Sequence, residues 1–161
     1  MTHLDWGLTG QTVIVTGGAG AIGRAVCEGF AEAGAKVAVV DLDQGACDAV
    51  AAALPGAMGF GTNLRDFAAL PALIARIEGA MGLATHLVNV AGIILRTADL
   101  FSVTEKDWDA QHDVNLKALF FLTQAFAARL RDTGRQGSVV NYSSQGWQSG
   151  GIGGSVVYNA T

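Results

Sequence analysis

Thr12-Val13-Ile14-Val15-Thr16 runs directly into Gly17-Gly18-Ala19-Gly20-Ala21-Ile22-Gly23. No other junction constrains the fold of this chain as strongly. A short β-branched run without polar alternation predicts a strand buried on both faces. The glycines at 17, 18, 20 and 23 predict a tight turn that leaves the backbone bare. Beyond the turn, Ile22, Val26, Phe30 and Ala33 recur at helical spacing and predict one buried face. Gly34 stands where a helix C-terminus favours glycine.

The alternation continues along the chain. Residues 36–40 predict a second strand, 44–54 a helix begun at Asp43, 57–61 a weak third strand and 66–81 a third helix. Residues 86–90 predict a fourth strand and 137–142 a fifth. Between them, 104–131 predicts one long helix with Leu116, Leu119, Phe120, Thr123, Phe126 and Leu130 at core spacing. Strands and helices that alternate through short links predict an α/β fold, a doubly wound parallel sheet with right-handed crossovers. Five glycines fall within 146–154, the one loop of unusual composition, which reads as a mobile loop beside a site.

Composition narrows the function classes. Half the residues are apolar and 15% are charged, which excludes a disordered charged tail. The length of 161 residues suits one domain spanning 1–161. A net charge of −4 argues against nucleic acid as a partner. No apolar run reaches the roughly 18 residues of a membrane span, and residues 1–10 carry no signal-peptide core. No membrane partner is expected, and the reducing cytoplasm is the expected compartment. Cys27 and Cys47 read as small buried side chains. His3, His86 and His112 show no metal spacing, so no metal site is expected. Trp6 and Trp108 read as packing residues.

The bare turn has a chemical reading. A pyrophosphate needs close backbone approach and gains from the free N–H groups of a helix N-terminus. Gly18-x-Gly20-x-x-Gly23 fits the general dinucleotide fingerprint, and Thr16-Gly17-x-x-x-Ala21-x-Gly23 fits a second parse. Asp41 follows Gly23 by 18 residues, at the end of the second strand. A carboxylate there accepts both hydroxyls of an adenosine ribose and repels a 2′-phosphate. Leu42 comes next and no Arg or Lys stands nearby to receive that phosphate, which favours NAD over NADP. The same two features also fit an S-adenosylmethionine methyltransferase.

Downstream residues separate these readings. The Thr16–Gly23 motif, Asn89-Val90-Ala91-Gly92, Asn115 in Val114-Asn115-Leu116, Ser143-Ser144 and Tyr158 together resemble the ordered motifs of the short-chain dehydrogenases/reductases, over essentially the whole chain. The resemblance implies a Rossmann-type sheet, a nicotinamide cofactor and hydride transfer between it and a carbinol or carbonyl. It assigns the acid/base role to Tyr158 and the substrate-oxygen contact to Ser144, with Ser143 as the alternative, because the spacing to Tyr158 is one residue longer than usual. It assigns a water-binding backbone position to Asn115. Cofactor contacts fall to Gly17, Gly20, Ala21, Ile22, Gly23, Asp41, Leu42, Asn63, Leu64, Asn89, Ala91, Gly92 and Tyr158. Three departures are visible: Ala21 replaces a glycine, Val90 an asparagine and Asn63 an aspartate.

An unperturbed tyrosine, with a pKa of about 10, is a poor base near neutral pH and needs a nearby cation. The family supplies a lysine four residues after the tyrosine, which falls at position 162. The resemblance therefore implies that the chain is the N-terminal part of a longer enzyme, with further strands and helices to follow. Trp147 is placed to face a substrate, and Arg96 to pair with a carboxylate through two N–H groups. Residues 91–96, 105–108 and 150–152 are most similar to the gluconate and 2-dehydro-3-deoxygluconate dehydrogenase group. The expected activity is NAD-dependent oxidation or reduction of a sugar acid or polyol, a small hydroxy or keto compound. A 3-oxoacyl-carrier-protein reductase and a non-catalytic dinucleotide-binding module are the alternatives. The family's habit implies a homotetramer or homodimer.

Overall fold

A computed structural model describes residues 6–161 of the chain. His3 and the start of the 1–10 segment lie outside the described residues. Five strands form one sheet: β1 (Thr12–Thr16), β2 (Lys36–Asp41), β3 (Met58–Gly61), β4 (Ala84–Asn89) and β5 (Ser138–Asn141). Every pairing is parallel and the spatial order is β3-β2-β1-β4-β5. The order reverses between β1 and β4, so the chain leaves the central strand first to one side and then to the other. In sheets of this kind the crevice opens outside the carboxyl ends of the strands at the reversal.

Helices cover both faces. α1 (Ala21–Glu32) and α2 (Gln44–Ala51) lie on one, and α3 (Leu70–Met81) and α5 (Leu119–Thr133) on the other. The two cores divide the strand residues by parity, as a pleat of period two requires. Val13, Val15, Val37 and Val39 pack with Cys27 and Val50, while Ile14, Ala38 and Val40 pack with Ile74, Leu122 and Phe126. The uninterrupted apolar sequence of β1 is thus explained by burial on both sides. Among the described residues β5 pairs only with β4, and it is exposed along its length. Among the described residues no helix is long and apolar enough to cross a membrane.

The structure moves several expected features. α1 turns Gly23, Cys27 and Ala31 inward, not Ile22 and Ala33; Val26 and Phe30 flank this face half-buried. Small residues on the inward stripe let the helix sit close on the sheet, and the larger ones pack at its sides. α2 begins at Asp43 as expected, where the carboxylate accepts from the Ala46 amide at 2.7 Å, but it ends at Ala51. Residues 67–69 form a 3₁₀ turn ahead of α3. Trp6 is exposed, and Trp108 is exposed with its ring stacked on His112 at 4.1 Å. Gly146–Ser149, expected within a loop, forms the one-turn helix α6, and α7 is Val156–Ala160.

The largest change concerns the long helix. Residues 104–131 do not form one regular helix. α4 (Glu105–His112) passes into a π-helical turn, Asp113–Ala118, and only then into α5. A π turn carries more residues per turn than an α-helix and shifts the phase of everything after it. Across the turn and α5 the buried residues are Ala118, Leu122 and Phe126, and Leu116 and Phe120 face outward. Phe126 is 1% exposed and Phe120 is 58% exposed. Phe126→Ala is expected to lower unfolding stability by about 3–5 kcal/mol in urea titrations. Phe120→Ala is expected to change it by less than about 1 kcal/mol. Equal losses at the two positions would contradict this assignment of the buried face of α5.

Candidate functional site

The turn after β1 is held by contacts that exclude side chains. A Cβ built on Gly17 would lie 2.8 Å from the Cα and the amide nitrogen of Ala91, and one on Gly23 would overlap the Gly17 carbonyl oxygen. Gly17 holds φ at +65°, a left-handed conformation that glycine alone adopts without strain. The buried Thr16 hydroxyl accepts from the amides of Val90 and Ala91, both at 3.2 Å. Together these contacts lock the carboxyl ends of β1 and β4 against each other. Gly20, the N-cap of α1, supplies no side-chain cap, which leaves the first N–H groups of the helix to meet an anion.

A crevice of about 590 Å³ lies along this junction. Gly17, Gly20, Ala21, Ile22 and Gly23 line it from one side, and Ala91 and Gly92 from another. Asp41, Leu42, Asn63 and Leu64 line its far end. The Asp41 carboxylate accepts from the amides of Ala19 at 3.1 Å and Leu42 at 2.8 Å. An ionised carboxylate has about four acceptor positions, so it keeps capacity for two ligand hydroxyls. The structure adds Thr62, Arg65, Val90, Ile93 and Val114, which sit within or flank the motifs but were not among the expected contacts. Arg65 corrects the expectation that no basic residue stands near Asp41. It reaches the crevice from the loop after β3, with its guanidinium on Asp113 at 2.9 Å.

Asn89 is not brought to the crevice. Its side chain is buried and its Nδ2 donates to Asn141 at 2.9 Å and to Thr123 at 3.2 Å, joining β4 to β5 and α5. Val90, Ala91 and Gly92, just beyond it, form the wall instead.

A second cavity, of about 260 Å³, adjoins the first. Ser143, Ser144, Trp147, Tyr158 and Asn115 all line it. Both serines reach it, and the Ser144 hydroxyl accepts from the Gly146 amide at 3.1 Å. Asn115 sits in the π turn. Its Oδ1 accepts from the Ile93 amide at 2.8 Å, and its Nδ2 donates to the Ile93 carbonyl at 2.9 Å and to the Thr161 hydroxyl at 3.0 Å. π turns of this kind are frequent at functional sites. Four residues earlier, Gln111 is wholly buried and its Oε1 accepts from the Leu95 amide at 3.0 Å. Sequence reasoning missed Gln111; the only signal was a polar residue four positions before Asn115.

Ile22, Val90, Ala91, Gly92 and Ile93 line both cavities. Ile22 is 60% exposed because it projects into this shared region instead of the core. Arg96 lines neither cavity; its Nη1 donates to the Gly153 carbonyl at 2.8 Å. No cationic side chain is among the described residues that line the second cavity.

Burial pushes the Cys27 thiol up to about 12, with Glu28 adding to the effect, and raises Cys47 as well. Burial lowers His86, whereas hydrogen bonds from Thr104 lower Asp107 at the start of α4. None of these groups lines the two cavities.

Comparison with known proteins places this geometry. Residues 11–161 match the model of a family described as short chain dehydrogenase. A D-threitol dehydrogenase of Mycolicibacterium smegmatis is 34% identical over 145 residues, covering 88% of this chain and 55% of that protein. A 2-dehydro-3-deoxy-D-gluconate 5-dehydrogenase of Escherichia coli is 31% identical over 147 residues, covering 90% of this chain and 58% of that protein. The chain thus spans a little over half the length of these relatives. A crystal structure described as ribose-5-phosphate isomerase from Brucella melitensis superposes with a TM-score of 0.85 at 30% identity. It covers 94% of this chain and 57% of its own.

The thiols allow a direct check on the packing under the glycine turn, where a Cβ on Gly18 would lie 3.4 Å from the Cys27 sulfur. Native protein is expected to resist a thiol-reactive dye at pH 8 and to react only after unfolding. The folded thiol pKa lies above its ordinary 9.0. The unfolded chain therefore loses its proton first, and this contribution to stability, complete below pH 9, falls away between pH 9 and about 12. Fast labelling of both cysteines in the native state would contradict the packing.

Proposed function

The chain belongs to the short chain dehydrogenase family, and on that premise we propose that its site serves an NAD-dependent oxidoreductase acting on the CH–OH carbon of a polyol or sugar acid. The observation that carries this reading is the shared wall. A long crevice edged by bare glycines and a carboxylate meets a hydroxyl-lined cavity across Ile22 and residues 90–93. Asp41 would hold the adenosine ribose of a dinucleotide bound in the crevice, and residues 90–93 would stand beside its reactive ring.

The residues present fit such a cofactor. Positions 17 and 23 have no room for a Cβ, which leaves backbone N–H groups to face a pyrophosphate. Asp41 accepts ribose hydroxyls through its remaining lone pairs and repels a 2′-phosphate. The basic residue that shares this crevice, Arg65, is committed to Asp113. When bound, the nicotinamide supplies or accepts the hydride.

The protein's part is proton transfer and placement. In the reducing direction, negative charge grows on the substrate oxygen as its carbon is reduced. Tyr158 donates a proton to that oxygen, and the Ser144 hydroxyl donates a hydrogen bond that holds it in place. In the oxidising direction the same tyrosine takes the carbinol proton. Asn115 holds the Ile93 wall through both of its amide atoms. The relatives named for threitol and for 2-dehydro-3-deoxygluconate support polyols and sugar acids as the substrate class. The family match removes support from the methyltransferase alternative.

Tyr158→Phe in the full-length enzyme is expected to lower kcat by about 10²-fold or more, with NADH affinity by calorimetry kept within a few-fold. Normal turnover by that variant would overturn the assignment. Asp41→Ala is expected to shift the ratio of kcat/KM for NAD over NADP toward NADP by about tenfold. A wild-type enzyme that already prefers NADP would refute the ribose argument.

A further inference from the structure

The segment 150–154 joins α6, which carries Trp147, to α7, which carries Tyr158. Gly150, Gly151, Gly153 and Gly154 hold φ between +66° and +94°. Glycine has more backbone freedom to lose than any other residue, so a stretch like this does not hold its own shape. External ties must define it.

Among the described residues, two such ties come from residues 96 and 97. Arg96 Nη1 donates to the Gly153 carbonyl at 2.8 Å, and the Thr97 amide donates to the Gly154 carbonyl at 3.0 Å. The contact is backbone on backbone, since a Cβ built on Gly154 would overlap the Thr97 carbonyl oxygen. The residues just before the ties are themselves anchored. Asn115 grips Ile93 through both its amide and its carbonyl, and Gln111 grips the Leu95 amide. Gln111 is 0% exposed, and its own Nε2 donates to the Asp107 carbonyl at 3.2 Å. Residues 93–97 therefore form a rail, fixed to the helix at one end and holding the glycine segment at the other.

The rail also builds the site. Ile93 and Ile94 form one wall of the second cavity, and Ser144, Trp147 and Tyr158 form the facing one. The ties at 96 and 97 join these two walls outside the cavity. We propose that Arg96 is a positioning residue: with Thr97 it latches the glycine segment and so sets the spacing between the Ile93–Ile94 wall and the wall bearing Trp147 and Tyr158. The role differs from direct pairing of Arg96 with a substrate carboxylate. It rests on the dehydrogenase reading above. Loosening the latch widens the substrate mouth for charged and neutral substrates alike and leaves the glycine turn under the cofactor untouched.

The test uses the full-length enzyme with Arg96→Met and Arg96→Lys, both at an exposed side chain. Lysine keeps one N–H donor for the Gly153 carbonyl, and methionine keeps none. Amide hydrogen exchange over 94–99 and 150–156 is measured by mass spectrometry. KM and kcat are measured for a neutral polyol, a sugar acid and NAD. Arg96→Met is expected to speed exchange in both segments and to raise KM for both organic substrates, each by about five- to tenfold, with KM for NAD unchanged. Arg96→Lys is expected to restore most of both effects. Unchanged exchange in Arg96→Met overturns the latch. A KM rise confined to the sugar acid also overturns it and assigns Arg96 to the substrate carboxylate. If the wild-type enzyme oxidises neither compound with either nicotinamide cofactor, the dehydrogenase reading fails, while the exchange data still decide whether Arg96 holds the segment.

Discussion

Everything in this molecule is arranged around the close approach of Gly17 to Ala91. The two backbones come so near that a single methyl group would separate them. The Thr16 hydroxyl holds the approach by accepting from two successive amides across the junction. This contact joins the carboxyl ends of β1 and β4, the place where strand order reverses. A crevice must open there because the connections depart to opposite sides, and the missing side chains make it a crevice lined by backbone N–H groups. Asp41 stands at its end because β2 pairs in register beside β1, with Val40 opposite Thr16.

The second organising element is the π turn at 113–118. It places Asn115 where both atoms of its amide meet the backbone of Ile93, much as a neighbouring strand would. Gln111 repeats the contact at Leu95. An irregular segment that must form a cavity wall cannot satisfy its own backbone groups, and two buried amides satisfy them from the helix. The cost falls on the helix, which loses its regular phase. Leu116, in the turn, and Phe120, just after it, face outward.

Much of this was legible in the residues. The alternation of apolar runs and amphipathic stretches located every strand to within two residues, because a strand buried on both faces shows no polar interruption. The glycine turn was legible because only glycine tolerates the approaches at 17 and 23. Ser143, Ser144, Asn115 and Tyr158 were legible through family resemblance, and the structure lines one cavity with them. The inward face of α1 was not legible. Hydrophobicity marked Ile22 and Ala33, whereas close packing on the sheet favoured Gly23, Cys27 and Ala31. Asn89 misled for a related reason, since a polar residue at a strand end serves equally well as a ligand contact or as a brace between strands. Here it braces.

The sequence by itself determined the parallel sheet, the bare turn and the carboxylate that follows it. Each depends on local steric and polar properties that neighbouring residues impose on one another. Tertiary structure alone decided which distant groups meet. Arg65 lines the same crevice as Asp41, Gln111 reaches Leu95, and Arg96 bonds to the glycine segment. These meetings depend on the phase of a helix and the path of a loop. Both are set by packing across the sheet, which no local pattern of residues records.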